Sequence, residues 1–380
     1  MISRFYVDNF KSLVEFELEL AKFTCLIGLN GAGKSTVLQA LDFSSALMHG
    51  KVEEWLEKRG WKAKDLNSLF LNRINIEIEI DLQIESQRYR WQATFNRKLM
   101  ICTQERIFRL DNDQLIFNLK DSRYQIDDSK PTKIAFSYQG SVLSTLLPEL
   151  LTTEIKLVKE HISALRSLDL LSPQFLRQKA RKAERDDIGM GGEQLSAFVH
   201  QLSDHQKKKL LSQLQHYYPQ INAIHTKAQR SGWIQLEVSE SYNSSLLFTE
   251  ARHINDGMLR LLAILAQQFS RLEILMFDEI ENGINPEVTE RIVDALVNSP
   301  KQIIVTTHSP MVLNYLVDEV AKESVILLYK RNDGFTRSAH FFALPSPERK
   351  LLTLAPGDAM LDVLLNEAAL EAEAKQGVGK

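Results

Sequence analysis

The sequence predicts an α/β fold: a parallel sheet covered by helices, with an antiparallel β lobe and an inserted helical lobe. Three observations carry this expectation. An apolar run over residues 23–27 enters Gly28-Leu29-Asn30-Gly31-Ala32-Gly33-Lys34-Ser35-Thr36 and then a helical pattern over about 36–47. The C-terminal half alternates short apolar runs with amphipathic stretches, as strands and covering helices do in a parallel sheet. Between these regions, residues 74–138 hold several strand-like runs divided by turn residues such as Asn112-Asp113 and Asp121-Ser122, which favours antiparallel pairing.

Length and composition narrow the class. The 380 residues are enough for two to three domains or one domain with large insertions. A net charge of −3 supplies no global attraction to nucleic acid or anionic lipid, so any such contact must come from a local patch. Cys25 and Cys102 are the two cysteines, far apart and without metal spacing, which argues against a disulfide scaffold or a zinc site. The chain opens directly on an alternating strand, and no run approaches a membrane span. A soluble cytoplasmic protein is the expectation.

In order along the chain, residues 1–10 and 14–20 alternate as strands around the turn Asn9-Phe10-Lys11-Ser12, either a plain hairpin connection or a nucleotide contact. A polar helix is expected over 53–59, then strands over 74–84, 88–95, 105–110, 114–119 and 134–138. From 143 to about 216 the apolar spacing is helical. The basic run over 175–185 and Lys207-Lys208-Lys209 would follow a phosphate backbone or form a solvated face; nearby acids and the lack of interleaved aromatics favour the second. Gly189-Met190-Gly191-Gly192 reads as a joint. Strands return at 233–238 and 246–248, followed by a helix over 258–269, a strand ending in Asp278-Glu279, a helix over 286–298, a strand over 302–306, a helix over 310–317, strands over 324–329 and 335–342, and a last helix over 358–374. The domain reading is 1–142, 143–230, 231–345 and 346–380.

Four groups of residues carry chemistry. In the glycine loop, Asn30, Gly31, Ala32, Gly33 and the helix start turn N–H groups toward an anion; Lys34 would reach the β- and γ-phosphates, Ser35 would ligate Mg²⁺, and Thr36 would close the cradle. At the tip of an apolar strand, Asp278 would hold Mg²⁺ and Glu279 would act as general base on the attacking water. At the tip of another, His308 could donate to the γ-phosphate or the water. Asn255-Asp256-Gly257 starts a helix with a good N-cap and an open first turn, a second anion seat. Two helix starts so far apart suggest two subunits sandwiching two ATP molecules.

These features in this order resemble the ABC-type ATPases of the SMC, RecF and OLD group, and most closely the stand-alone AAA-type ATPases of bacterial anti-phage and abortive-infection operons, such as Septu-like and PARIS-like systems. The resemblance covers residues 2–47 and 253–316; the middle matches in layout. It implies a P-loop NTPase fold with an ABC-type ATPase head, in which residues 28–36 look like Walker A, 274–279 like Walker B, His308 like the switch histidine and 282–286 like the D-loop. Asn255 stands where the group usually has Ser before the Gly, and Asn285 where it often has His. The glutamine that links Mg²⁺ to the inserted lobe has one candidate, Gln139, which is equally an ordinary turn residue.

The function expected from this resemblance is a homodimeric switch that binds and hydrolyses ATP with Mg²⁺, controlling a partner effector such as a nuclease or toxin. A DNA repair clamp acting directly on DNA is the alternative. An ATP-bound scaffold that seldom turns over, and a transporter ATPase lacking the Ser-Gly-Gly-Gln signature, stand behind these.

Overall fold

The computed structural model describes residues 1–168, 173–182, 187–189, 191–243 and 245–377. The chain forms two units, Met1–Leu165 with Val317–Lys380, and Arg166–Leu316.

The first unit opens with the hairpin of β1 (Ile2–Asp8) and β2 (Phe16–Glu19), then β3 (Phe23–Ile27), α1 (Lys34–His49) and α2 (Val52–Lys58). Six strands follow: β4 (Asn75–Ile84), β5 (Gln87–Asn96), β6 (Ile101–Arg109), β7 (Gln114–Lys120), β8 (Arg123–Ile126) and β9 (Thr132–Lys133). They join the hairpin in an antiparallel sheet of order β2-β1-β4-β5-β6-β7-β8-β9. Alternation explains the sheet's two faces. Along β4, Ile76, Ile78, Ile80 and Leu82 are buried, and Trp91 and Phe95 of β5 join them inside. Phe43 of α1 packs between Phe95, at 5.3 Å between ring centres, and Trp55 of α2, at 5.1 Å, which ties the glycine-loop helix to the β lobe. After α3 (Thr153–Ser163) the chain leaves this unit.

The second unit contains β10 (Arg166–Leu168), α4 (Pro173–Leu176), β11 (Ala180–Arg181), α5 (Leu195–Gln201), α6 (Asp204–Tyr217), β12 (Ile221–Ala228), β13 (Trp233–Tyr242), β14 (Ser245–Glu250), α7 (Asp256–Gln267), β15 (Ile274–Phe277), α8 (Pro286–Val297), β16 (Gln302–Thr306) and α9 (Pro310–Asn314). Strands β10, β15 and β16 run parallel, with Phe277 beside Val305. Both β15 and β16 are buried at every position, as a strand covered on both faces requires. Strands β11, β12, β13 and β14 form an antiparallel sheet centred on β13.

The chain then returns to the first unit through α10 (Asp318–Ser324), β17 (Val325–Lys330), β18 (Thr336–His340), α11 (Pro345–Leu351), α12 (Pro356–Asp362) and α13 (Leu365–Gly377). β17 lies parallel to β3 and antiparallel to β18. Cys25 on β3 and Cys102 on β6 are free and buried.

Two local expectations fail. Residues 134–138 form no strand; Phe136 is 38% exposed, so the alternation there has no core to fill, and the pairing falls instead on Thr132–Lys133. The helical run expected from 143 to 216 is broken, because Arg181 pairs with Trp233 in a sheet and α4 stops at Leu176. The expected basic helix over 175–185 therefore stops at Leu176 and is absent from 177 to 182, while residues 183–185 of that run, and Met190 of the glycine joint, lie outside the described residues.

Candidate functional site

In the first unit the glycine loop connects β3 to α1 in a conformation that only its glycines allow. Gly28 has φ +148°, and a Cβ there would lie 2.3 Å from the Leu328 carbonyl oxygen of β17. Gly33 has φ +111°, and a Cβ would lie 2.6 Å from Thr336 Oγ1. Thr336 braces the loop from behind: its hydroxyl donates to the Ala32 carbonyl at 2.9 Å and meets Ser12 Oγ at 2.8 Å, while its N–H donates to the Ser12 carbonyl at 2.9 Å. The turn 9–12 thus has a structural task at the loop.

α1 begins without a side-chain cap and without an acidic residue in its first turn. Its start, at the positive end of the helix dipole, is where an anion would sit. Lys34 is buried, its Nζ 2.8 Å from the Gly28 carbonyl and 3.3 Å from that of Leu29, so the amine is held across the loop it is meant to serve. Leu29, Asn30, Gly31 and Ser35 are exposed, and Thr36 is half-buried. Lys11 sits 3.1 Å from the centre of the Trp61 ring and 3.3 Å from Gln39 Oε1 of α1. Gln139 is half-buried in the turn before Gly140, where its amide oxygen accepts the Glu53 N–H at 3.1 Å.

In the second unit one hydroxyl organises the acidic strand end. Thr306 Oγ1, at the tip of β16, donates to Asp278 and accepts the Glu279 N–H at 2.8 Å. Glu279 takes a left-handed conformation with φ +49°, which turns the chain sharply after β15. Asn282 Nδ2 donates to Glu279 Oε2 at 3.4 Å. Glu281 Oε1 lies 3.1 Å from the His308 N–H and 3.2 Å from His308 Nδ1, with the imidazole itself 55% exposed.

α7 starts as its residue types require: Asn255 accepts the Met258 N–H at 2.8 Å. Arg177 Nη2 donates to the Ile254 carbonyl at 2.9 Å and to Asp256, so this arginine anchors the helix start instead of joining a basic track. Four residues into the same helix, Arg260 donates to the Asn282 carbonyl, stands 3.4 Å from the position of a Cβ on Gly283, and shares a small cavity with Asp278 and Glu279. Burial pulls its guanidinium below the usual arginine range.

The second unit thus brings Asp278 and Glu279 together with His308's strand, and sequence reasoning missed the groups that do it: Thr306, Glu281 and Arg260. Their signal was position alone. Thr306 ends the strand that leads to His308, and Glu281 lies two residues beyond Glu279. Ser35 and Gln139 in the first unit, and Asp278 in the second, each carry an oxygen donor of the kind a hard cation such as Mg²⁺ takes, although the Gln139 oxygen already has an N–H partner. Among the described residues no helix is long and apolar enough to cross a membrane.

Comparison with known proteins gives concordant findings. The family described as "AAA domain, putative AbiEii toxin, Type IV TA system" matches residues 23–314. A stretch of 42 residues, 11% of the chain, is 45% identical to the OLD nuclease of Thermus scotoductus, and that stretch is 8% of the relative's length. The fold is that of SMC heads. An SMC head bound to the C-winged helix domain of ScpA gives a TM-score of 0.56 at 16% identity, covering 89% of this chain and 96% of that one. The Smc head with an extended coiled coil from Pyrococcus furiosus, bound to the C-terminal domain of ScpA, gives 0.55 at 14% identity over 92% and 98%. The Smc head with a coiled coil and joint from Pyrococcus yayanosii gives 0.52 at 13% identity over 97% and 99%.

Proposed function

The chain belongs to this AAA-domain family, and we propose that it is an ATP-hydrolysing dimeric switch that controls a separate effector. The observation that carries the reading is the glycine loop, whose positive-φ glycines, helix start and cross-loop Lys34 amine suit a polyphosphate. In this reading Lys34 holds the β- and γ-phosphates, the N–H groups of 30–36 line the anion, and Ser35 and Asp278 hold Mg²⁺, with Gln139 as a third candidate. The cation would neutralise charge on the phosphates. Glu279 takes a proton from the attacking water, and His308 donates to the γ-phosphate. The Asn255-Asp256-Gly257 helix start serves the nucleotide of a second copy, which makes the switch a homodimer.

Support for an effector comes from the relatives' names, a toxin family and a nuclease. We place the effector chemistry on a partner protein and the switch in the cytoplasm of a bacterium under phage attack. The deciding experiment compares nucleotide binding and phosphate release by the wild type, Lys34→Ala and Glu279→Gln. Loss of binding in the first and loss of turnover with binding kept in the second are expected; turnover that survives Glu279→Gln rejects the assignment. Mass spectrometry of proteins co-purifying with the tagged chain then tests the effector.

One observation favours DNA as a second partner. β11 pairs Arg181 with Trp233, whose ring lies 5.4 Å from the Arg181 guanidinium, and the Lys182 N–H donates to the Gly232 carbonyl beside it; Lys227 of β12 is ion-paired with Glu237. His200 reports the local field: burial first, then the charges of Lys207 and Lys182, push its pKa down. Such a patch, with an aromatic at its centre, suits a phosphate backbone. DNA binding measured by anisotropy should weaken steeply with salt and in Arg181→Ala/Lys182→Ala; binding unchanged by both rejects this partner.

A further inference from the structure

We infer that Glu281 is the positioning residue of His308, fixing which ring nitrogen the histidine presents to the nucleotide. The inference rests on the proposed ATP hydrolysis and deepens it. The turn after β15 carries Glu281 to the tip of β16, where one carboxylate oxygen, Oε1, meets both the His308 N–H at 3.1 Å and the ring Nδ1 at 3.2 Å. Two contacts from one oxygen fix the residue's backbone and its ring together.

The carboxylate is 13% exposed, and its second oxygen, Oε2, is buried without a hydrogen-bond partner. An acceptor with so much unused capacity costs free energy to bury. A local cap does not account for it, because the next N–H, that of Ser309, is already served by Thr307 Oγ1 at 3.0 Å. What the carboxylate adds is control of the imidazole. With Nδ1–H directed at Glu281, Nε2 is the nitrogen left for a phosphate or a water. Since Thr306 ties Asp278 and Glu279 to the same strand that leads to His308, Glu281 sets the histidine in a fixed relation to both carboxylates.

The test is a double-mutant cycle on the full-length chain with ATP and Mg²⁺: wild type, Glu281→Ala, His308→Ala and the double variant, with Glu281→Gln beside them. Glu281→Ala should lower kcat about tenfold with KM for ATP within about twofold, as removal of a group that orients a reacting side chain does. Glu281→Gln keeps the acceptor and should recover most of the loss. In the His308→Ala background the same substitution should cost less than about twofold. An equal loss with and without His308, or unchanged kcat in Glu281→Ala, overturns the inference while leaving the proposed function intact. A wild-type chain that binds ATP and never hydrolyses it overturns both. If Glu281→Ala does not fold, Glu281→Met, which fills the same space without an acceptor, decides in the two backgrounds by the same comparison.

Discussion

The Thr306 hydroxyl accepts the main-chain N–H of Glu279 at 2.8 Å and gives its own proton to Asp278. A single side chain on β16 thereby ties down the Asp278 carboxylate and the Glu279 main chain just beyond β15. Replacing Thr306 with Val keeps the volume and removes both bonds. We expect kcat for ATP hydrolysis to fall about 10- to 100-fold, with Thr306→Ser close to wild type. Steady-state phosphate release checks this, and a Val variant as active as the wild type refutes the role.

Gly33 and Thr336 are matched to each other. Gly33→Ala adds a methyl 2.6 Å from Thr336 Oγ1 at a φ of +111°, so the loop must shift. The expected cost is about 1–3 kcal/mol of stability with loss of nucleotide binding. Thr336→Ala, which removes one brace without straining the backbone, should cost about 1 kcal/mol. Thermal denaturation with and without ATP separates the two.

Glu105 gives the stability of the β lobe a pH dependence. Burial pushes its pKa up to about 7, against the hydrogen bonds from Ser141, Trp91 and Val142 that favour the ionised form. The folded state therefore holds a proton that the unfolded chain releases near its ordinary carboxylate pKa. Stability from this group is full below about pH 4.5, declines as pH rises to about 7, and levels off above it, a loss on the order of 3 kcal/mol. Urea denaturation at several pH values should show that decline in the wild type and a flatter profile in Glu105→Gln.

The cap of α7 bears on assembly. Asn255→Ala loses the bond to the Met258 N–H and should cost about 1 kcal/mol, with Asn255→Ser recovering it. If this helix start covers a neighbour's nucleotide, ATP-driven dimerisation of Glu279→Gln should weaken in the Ala variant. Light scattering with ATP reads the outcome, and a dimer indifferent to Asn255 counts against the sandwich.

Much of this was legible in the sequence where a residue type has one use. The glycines at 28, 31 and 33, followed by Lys34-Ser35, leave little freedom in how β3 meets α1, and the buried runs at 274–277 and 302–306 read directly as covered strands. What stayed hidden depends on partners distant in sequence. Nothing near Thr336 announces that it closes the loop at Gly33, and nothing near Trp233 announces that Arg181 will lie against it. The helix expected over 175–185 failed for the same reason: α4 ends at Leu176, and Arg181 pairs with Trp233 in a sheet. Periodicity describes a segment alone, and these positions were decided by what crossed over them.

Cys25 and Cys102, sealed inside β3 and β6, leave the native surface without a reactive thiol. Burial also keeps Cys102 protonated far into the alkaline range. Maleimide dyes should therefore ignore the unmodified chain. A cysteine introduced at exposed Lys62 and another at exposed Lys209 would each take a fluorophore cleanly. Energy transfer between that pair would then follow the response to added ATP with both native cysteines left in place.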